Sequence, residues 1–141
     1  SLQTIGSDKL NQLAHVRFFD GDVDNIIKHM AKHAEIMRPK FEKVLQILSE
    51  ELTGFADWIE PKGGYFVSCE LENGTAKRTV ELAKQIGVIF TNAGATYPLK
   101  NDPNDSNLRI APSLPPIDEL EKAMRVFCCC AKLAYCEKFA K

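Results

Sequence analysis

The residue best suited to chemistry, Arg109, lies in the stretch 106–113 (Ser-Asn-Leu-Arg-Ile-Ala-Pro-Ser). This stretch reads as a short strand that ends at Pro112, and neighbouring side chains on a strand point to opposite faces. Leu108 and Ile110 therefore share one face, and Arg109 lies on the other. A guanidinium presents a planar fork of donors that matches a carboxylate or a phosphate. The pattern predicts an anion-binding arginine, and the alternative is an arginine on the solvated side of a sheet.

Two further segments contain residues that often border a binding site. Gly63 and Gly64 precede the aromatic residue Tyr65, and paired glycines allow either a plain hairpin turn or a close approach of the backbone to another group. The connection 92–105 is long, contains Tyr97 and leads directly into the strand described above. Connections of this length inside a domain are usually functional or disordered, and we interpret this one as a site loop.

The other chemically active residue types form no recognisable catalytic motif. His29 and His33 lie one helical turn apart, but no glutamate follows His29 and no third metal ligand is evident in the sequence. The 5 cysteines include no Cys-x-x-Cys pair, and an odd number does not form a disulfide framework. We therefore predict no catalytic residue, no cofactor ligand and no metal site in this chain. Free thiols favour a reducing, cytoplasmic location.

The composition is typical of one globular domain. The chain has 141 residues, of which 45% are hydrophobic and 26% are charged, and this is enough apolar material for one core. With a net charge of -1, the chain does not have the excess of basic residues that is typical of a protein that binds nucleic acid or an anionic membrane. No apolar run approaches the roughly 20 residues that span a bilayer. We expect neither nucleic acid nor a membrane as a partner.

The elements that would position Arg109 follow from the spacing of apolar residues. Apolar side chains recur at three- and four-residue steps over 23–52 and predict one long helix, which is capped by Asp22 or Asp20 and bent at Pro39. Further helices are predicted over 75–86 and from Pro115 to the end of the chain, with Cys128 in the core. Aromatic and β-branched residues predict strands at 55–60, 65–71 and 88–91, in addition to the arginine strand.

This order of elements predicts a two-layer α+β domain, in which helices pack on one face of a small, mostly antiparallel sheet. The other face of such a sheet is either covered by another part of the protein or exposed. Arg109 points to that face. Residues 1–19 read as a polar lead-in, helical in its second half, that packs on something outside the domain.

Several stretches, taken together and in this order, resemble the C-terminal small domain of class I pyridoxal-phosphate aminotransferases, in particular the aspartate aminotransferase-like bacterial group. The stretches that carry the resemblance are Arg38-Pro39-Lys40-Phe41, Pro61-Lys62-Gly63-Gly64-Tyr65-Phe66, Gly87-Val88, Ala93-Gly94-Ala95-Thr96-Tyr97-Pro98, Asp102-Pro103 and Asn107-Leu108-Arg109-Ile110-Ala111-Pro112. The resemblance implies a fold-type I small domain at 20–141. It makes residues 1–19 the lead-in from a large domain, which would precede this chain and carry the Schiff-base lysine.

By the same resemblance, the full-length protein is a pyridoxal-phosphate-dependent aminotransferase that works as a homodimer. It would transfer an amino group between an amino acid, dicarboxylic ones included, and a 2-oxo acid. Arg109 matches the arginine that grips the substrate α-carboxylate, and Gly64, Tyr65, Asn92 and Tyr97 would border the site entrance. The chain alone is expected to be inactive and to bind no cofactor. A lyase on the same fold and a stand-alone module that binds amino acids or a partner protein are the alternatives.

Overall fold

The computed structural model describes residues 8–140, so residues 1–7 of the predicted lead-in lie outside the described residues. The elements in chain order are α1 (Lys9–Phe18), α2 (Val23–Leu52), β1 (Ala56–Ile59), β2 (Val67–Leu71), α3 (Ala76–Gln85), a short 3₁₀ helix (Pro98–Lys100), β3 (Asn107–Ile110) and α4 (Ile117–Phe139). The chain divides into two compact units, the first ending at Ile36 and the second beginning at Met37.

The first unit contains α1 and the start of α2. The Asp8 carboxylate accepts hydrogen bonds from the backbone N–H groups of Leu10 and Asn11, both at 3.1 Å, and so caps α1. Asp22 accepts from the Asp24 N–H at 2.9 Å and caps α2 in the same way. The prediction of a helical second half of the lead-in is therefore confirmed, and Asp22 is the cap of the long helix.

Apolar side chains of the first unit are exposed to an unusual degree. No residue of α1 is buried. The large hydrophobic residues of this unit that are more than one-third exposed are Leu10, Leu13, Val16, Phe18, Val23, Ile26, Ile27, Met30 and Ile36. When so many exposed apolar side chains lie close together in the chain, they usually mark a contact with another protein surface.

Helix α2 continues through Pro39 as one helix, as predicted. In the second unit its buried residues Val44 and Leu48 pack with Met124 and Phe127 of α4 in one core cluster. This arrangement matches the apolar stripe read from the sequence, because side chains three and four positions apart share one face of a helix.

The sheet of the second unit has the order β1-β2-β3, and both strand pairs are antiparallel. Its core face consists of side chains that belong to the same cluster as α2 and α4, namely Val67, Cys69, Leu71, Leu108 and Ile110. The helices therefore cover one face of a small antiparallel sheet, and the predicted fold class is confirmed. The strands are shorter than predicted, and β2 begins only at Val67.

The predicted strand at 88–91 is wrong, because these residues form no strand. The segment runs beside β3, where the Thr91 hydroxyl donates a hydrogen bond to the Arg109 carbonyl and the Gly94 N–H donates to the Asn107 carbonyl at 3.5 Å. A side chain thus makes the contact that a backbone N–H would make in a ladder. Whether β-branched residues form a strand depends on what they pack against, and residues 88–91 lie beside β3 without forming a ladder with it.

The cysteines of the core behave as small apolar residues. Cys69 and Cys128 are both fully buried, and burial raises the pKa of each thiol to about 12. A thiol with such a pKa stays protonated and unreactive at neutral pH. The prediction that Cys128 is a core residue is confirmed. None of the helices formed by residues 8–140 combines the length and the hydropathy that a bilayer crossing requires.

Candidate functional site

Arg109 lies on the sheet face that is opposite to the core. Its strand neighbours Leu108 and Ile110 are each 2% exposed in the core, whereas Arg109 is half-buried and stands directly across from Ser68 of β2. Ser68, Glu70 and Asn107 share this face with it, because alternate residues of a strand point the same way. We call this side of the sheet the polar face.

The Arg109 guanidinium has no carboxylate partner among residues 8–140, where no ion pair involves it. Its Nε atom is buried and has no hydrogen-bond partner in the described part of the chain. An unpaired buried donor costs about 1–3 kcal/mol, so such groups are normally satisfied in a working protein. The geometry is that of a cation held ready for an acceptor that the described residues do not supply.

Phe66 fixes the position of that cation. The Arg109 Cζ atom lies 4.1 Å from the centre of the Phe66 ring, which is a cation–π contact. The sequence pattern pointed to the neighbouring Tyr65 and not to Phe66. The period of two would have found it, since Phe66 is two positions before Ser68, the partner of Arg109 on the next strand.

The Gly63-Gly64 pair forms the turn before β2. Gly64 has a φ of +86°, a conformation that glycine adopts without strain. Both Gly64 and Tyr65 are exposed, and Tyr65 lies just outside the strand. Their role at a site entrance stays a prediction.

The Thr91–Tyr97 loop, defined as residues 91–97, is attached to β3 at both ends. Thr91 bonds the Arg109 carbonyl, and the Thr96 hydroxyl donates to Asn107 Oδ1 at 2.6 Å. Asn92 is exposed and Tyr97 is half-buried. The charge of Asp102, then burial and the charge of Glu70, raise the pKa of Tyr97, so the phenol stays protonated at neutral pH. The structure therefore brings this loop next to the arginine strand, while the entrance roles of Asn92 and Tyr97 stay predictions.

The start of β3 is held by the buried side chain of Asp102. Its Oδ1 accepts from the Asn104 N–H at 2.9 Å, and its Oδ2 accepts from the N–H groups of Ser106 and Asn107, both at 2.8 Å. Burial acts to raise the pKa of this carboxyl, but the backbone hydrogen bonds outweigh it and the pKa is lowered. With these three hydrogen bonds, the carboxylate fixes the backbone at the point where the strand that carries Arg109 begins.

The residues that line the cleft of the first unit do not fit pyridoxal phosphate. That cofactor needs a lysine for its Schiff base and donors for its phosphate. A cleft of about 340 Å³ in the first unit is lined by Ala14, His15, Phe18, Phe19 and His29, which supply neither a lysine nor an arginine. No group of three or more His, Cys, Asp or Glu side chains within residues 8–140 could hold a metal ion.

Comparison with known proteins identifies relatives along the whole chain. The family model described as aspartate amino-transferase matches residues 1–141. The chain is 50% identical over 141 residues to an aspartate aminotransferase of Corynebacterium glutamicum, and the match covers 99% of this chain and 32% of that protein. This chain spans about one third of the length of the curated relatives that it matches.

Solved structures agree with this result. An aspartate transaminase from Corynebacterium glutamicum superimposes with a TM-score of 0.88 at 51% identity, over 95% of this chain and 32% of that one. A kynurenine aminotransferase from Pyrococcus horikoshii superimposes with a TM-score of 0.71 at 22% identity, over 83% of this chain and 28% of that one. The likeness to the Pyrococcus horikoshii protein shows the fold alone. The family match and the matches to the two Corynebacterium glutamicum proteins extend over nearly all of the sequence. The chain therefore belongs to the aspartate amino-transferase family.

Proposed function

We propose that this chain is the substrate-closing small domain of a pyridoxal-phosphate-dependent aminotransferase. The full-length protein transfers an amino group between an amino acid, dicarboxylic ones included, and a 2-oxo acid. The observation that carries the proposal is the Arg109 guanidinium, which has no ion pair among residues 8–140 and keeps a buried Nε donor unpaired.

The α-carboxylate of the substrate is the acceptor that fits this arginine. The two carboxylate oxygens accept from two nitrogens of the same guanidinium, in the parallel two-bond geometry that arginine favours. Each charge-assisted bond contributes about 1.5–3 kcal/mol. Phe66 and the strand hold the guanidinium in place beforehand, so little side-chain entropy is lost when the carboxylate binds.

The cofactor belongs to the large domain that precedes this chain in the full-length protein. When bound there, pyridoxal phosphate supplies the electron sink for amino-group transfer. The contribution of this chain is to bind the carboxylate, orient the substrate and exclude water as the domain closes. Gly64, Tyr65, Asn92 and Tyr97 border the entrance in this proposal.

The exposed apolar side chains of the first unit support a lead-in that packs on the large domain. Leu10, Leu13 and Phe18 of α1 are all exposed in the structure. Burying them against another apolar surface stabilises the assembly in proportion to the area removed from water.

We accordingly assign residues 1–19 to the lead-in and residues 20–141 to the small domain. In this proposal the full-length protein is a homodimer and is located in the cytoplasm.

The experiment that tests the proposal is an assay of the full-length protein with pyridoxal phosphate. We expect 2-oxo acid to form from the amino acid in step with amination of a second, added 2-oxo acid. Release of ammonia without dependence on the acceptor would identify a lyase instead. Saturable binding of amino acids or dicarboxylates by the 141-residue chain alone, without cofactor, would favour the binding module.

Replacing Phe66 tests the positioning of Arg109. In the full-length protein, Phe66→Leu is expected to raise KM for the amino acid several-fold, because a cation–π contact contributes about 0.5–2 kcal/mol. Phe66→Tyr keeps the ring and is expected to restore KM. Phe55→Leu is the matched control, since Phe55 is 39% exposed and Phe66 40% exposed, and Phe55 contacts Tyr135 instead of Arg109. Equal KM values for Phe66→Leu and the wild type would contradict the role of the ring.

A further inference from the structure

Asn107 is a buried polar residue that lies two positions before Arg109 on β3, on the same polar face. It is 6% exposed. Its Nδ2 atom donates to Ser68 Oγ at 3.1 Å and to the Glu70 carboxylate, and its Oδ1 atom accepts from Thr96 Oγ1 at 2.6 Å. The hydrogen bonds of the Asn107 side-chain amide therefore connect it to two segments of the chain, β2 and the Thr91–Tyr97 loop.

The orientation of the Asn107 amide follows from its neighbours. An ionised carboxylate can only accept hydrogen bonds, so the NH₂ group must face Glu70 and the carbonyl oxygen must face Thr96. Glu70 is held in turn by the Ser106 hydroxyl at 2.9 Å. Ser68 stands directly across from Arg109 in the sheet. The strand side of the network thus presets one acceptor, Asn107 Oδ1, for the loop.

The Thr91–Tyr97 loop meets this acceptor at Thr96. Its backbone is already constrained at Gly94, where φ is +75° and a Cβ atom would lie 2.8 Å from the Lys100 carbonyl oxygen. The bond from Thr96 to Asn107 is the point where a side chain of the loop is joined to a side chain of the polar face. Without it, the loop keeps its bonds to the β3 backbone and loses its anchor to the face that carries Arg109.

We infer that Asn107 is a positioning residue, which holds the Thr91–Tyr97 loop against the polar face through Thr96 so that this side of the carboxylate site is formed before substrate arrives. The inference rests on the proposed function for its link to substrate. Preorganisation of this kind lowers the cost of binding. Its loss therefore affects KM more than kcat.

Thr96 offers the cleanest test, because it is exposed and its replacement leaves the core untouched. Thr96→Val has nearly the same shape but no hydroxyl, and Thr96→Ser keeps the hydroxyl. The first readout is hydrogen exchange at the amides of residues 93–97 in the 141-residue chain, and the second is KM for the amino acid in the full-length protein. One hydrogen bond contributes about 0.5–1.5 kcal/mol, which corresponds to about 2- to 13-fold.

For Thr96→Val we expect faster exchange in the loop and a KM raised by that factor, with kcat within about two-fold of the wild type. Thr96→Ser is expected to match the wild type in both readouts. Asn107→Ala should reproduce the faster exchange, and adding Thr96→Val to it should change the loop no further, because the two residues share one bond.

Unchanged exchange at residues 93–97 in Thr96→Val would overturn the anchoring role. Faster exchange with an unchanged KM would overturn the link to the substrate site. If the wild-type full-length protein transfers no amino group, the proposed function fails, and the exchange experiment on the 141-residue chain still decides the anchoring role by itself.

Discussion

Arg109→Ala in the full-length protein is expected to lower kcat/KM for the amino acid substrate by about 100-fold or more. The variant would lose the two charge-assisted hydrogen bonds that we propose Arg109 makes to the substrate carboxylate, each contributing about 1.5–3 kcal/mol. Arg109→Lys keeps the charge but removes the planar fork, so it is expected to recover only a part of the loss. Steady-state kinetics with varied amino acid concentration measure both effects.

Arg125→Ala is the control for loss of a cation. Arg125 is an exposed residue of α4 that pairs with Glu121 at 2.9 Å, and surface pairs of this kind contribute little. A purely structural Arg109 would alter the thermal stability of the variant and leave KM unchanged. Kinetics of Arg109→Ala equal to those of Arg125→Ala would refute the carboxylate role.

Asp102→Asn is expected to destabilise the chain by about 2–3 kcal/mol at pH 7, because the anionic acceptor of several backbone N–H groups is lost. The wild-type carboxylate accepts from Asn104, Ser106 and Asn107, and it is 4% exposed. An amide in its place turns one acceptor into a donor that faces other donors. Urea unfolding followed by circular dichroism measures the change.

The pH dependence of this difference tests its electrostatic origin. Because the folded-state pKa of Asp102 is lowered, the stabilisation is fully present above the unfolded-state pKa of about 4 and is lost as the pH falls through the folded-state pKa. The difference between wild type and Asp102→Asn is expected to stay constant from about pH 5 to pH 8 and to shrink below about pH 4. Asp57→Asn, an exposed change on β1, is the control. A difference independent of pH would contradict this account.

The spacing of apolar residues was sufficient to predict features that depend only on the geometry of a single helix or strand. The step of three and four residues predicted the long helix through Pro39, and the step of two placed Leu108 and Ile110 in the core with Arg109 on the other face. Both patterns are consequences of backbone geometry, which repeats every few residues. The same rule, applied to β2, would have pointed to Phe66 before Tyr65.

Contacts between distant segments could not be read in this way. The start of α3 provides an example, since its first free N–H groups, those of Ala76 and Lys77, donate to the carbonyl and the carboxylate of Asp105. The residue before the helix, Thr75, makes no side-chain cap. Because the cap comes from a loop much later in the chain, no pattern in the sequence near α3 predicts it.

The sequence by itself therefore determined the apolar stripe of α2 and the two faces of β3, with Arg109 pointing away from the core. Tertiary structure alone decided that residues 88–91 follow β3 without pairing, that Phe66 lies over Arg109, and that Asn107 joins Thr96 to the polar face. The reason is physical: a side chain's face follows from the geometry of its own segment, whereas its partner depends on where the rest of the chain packs.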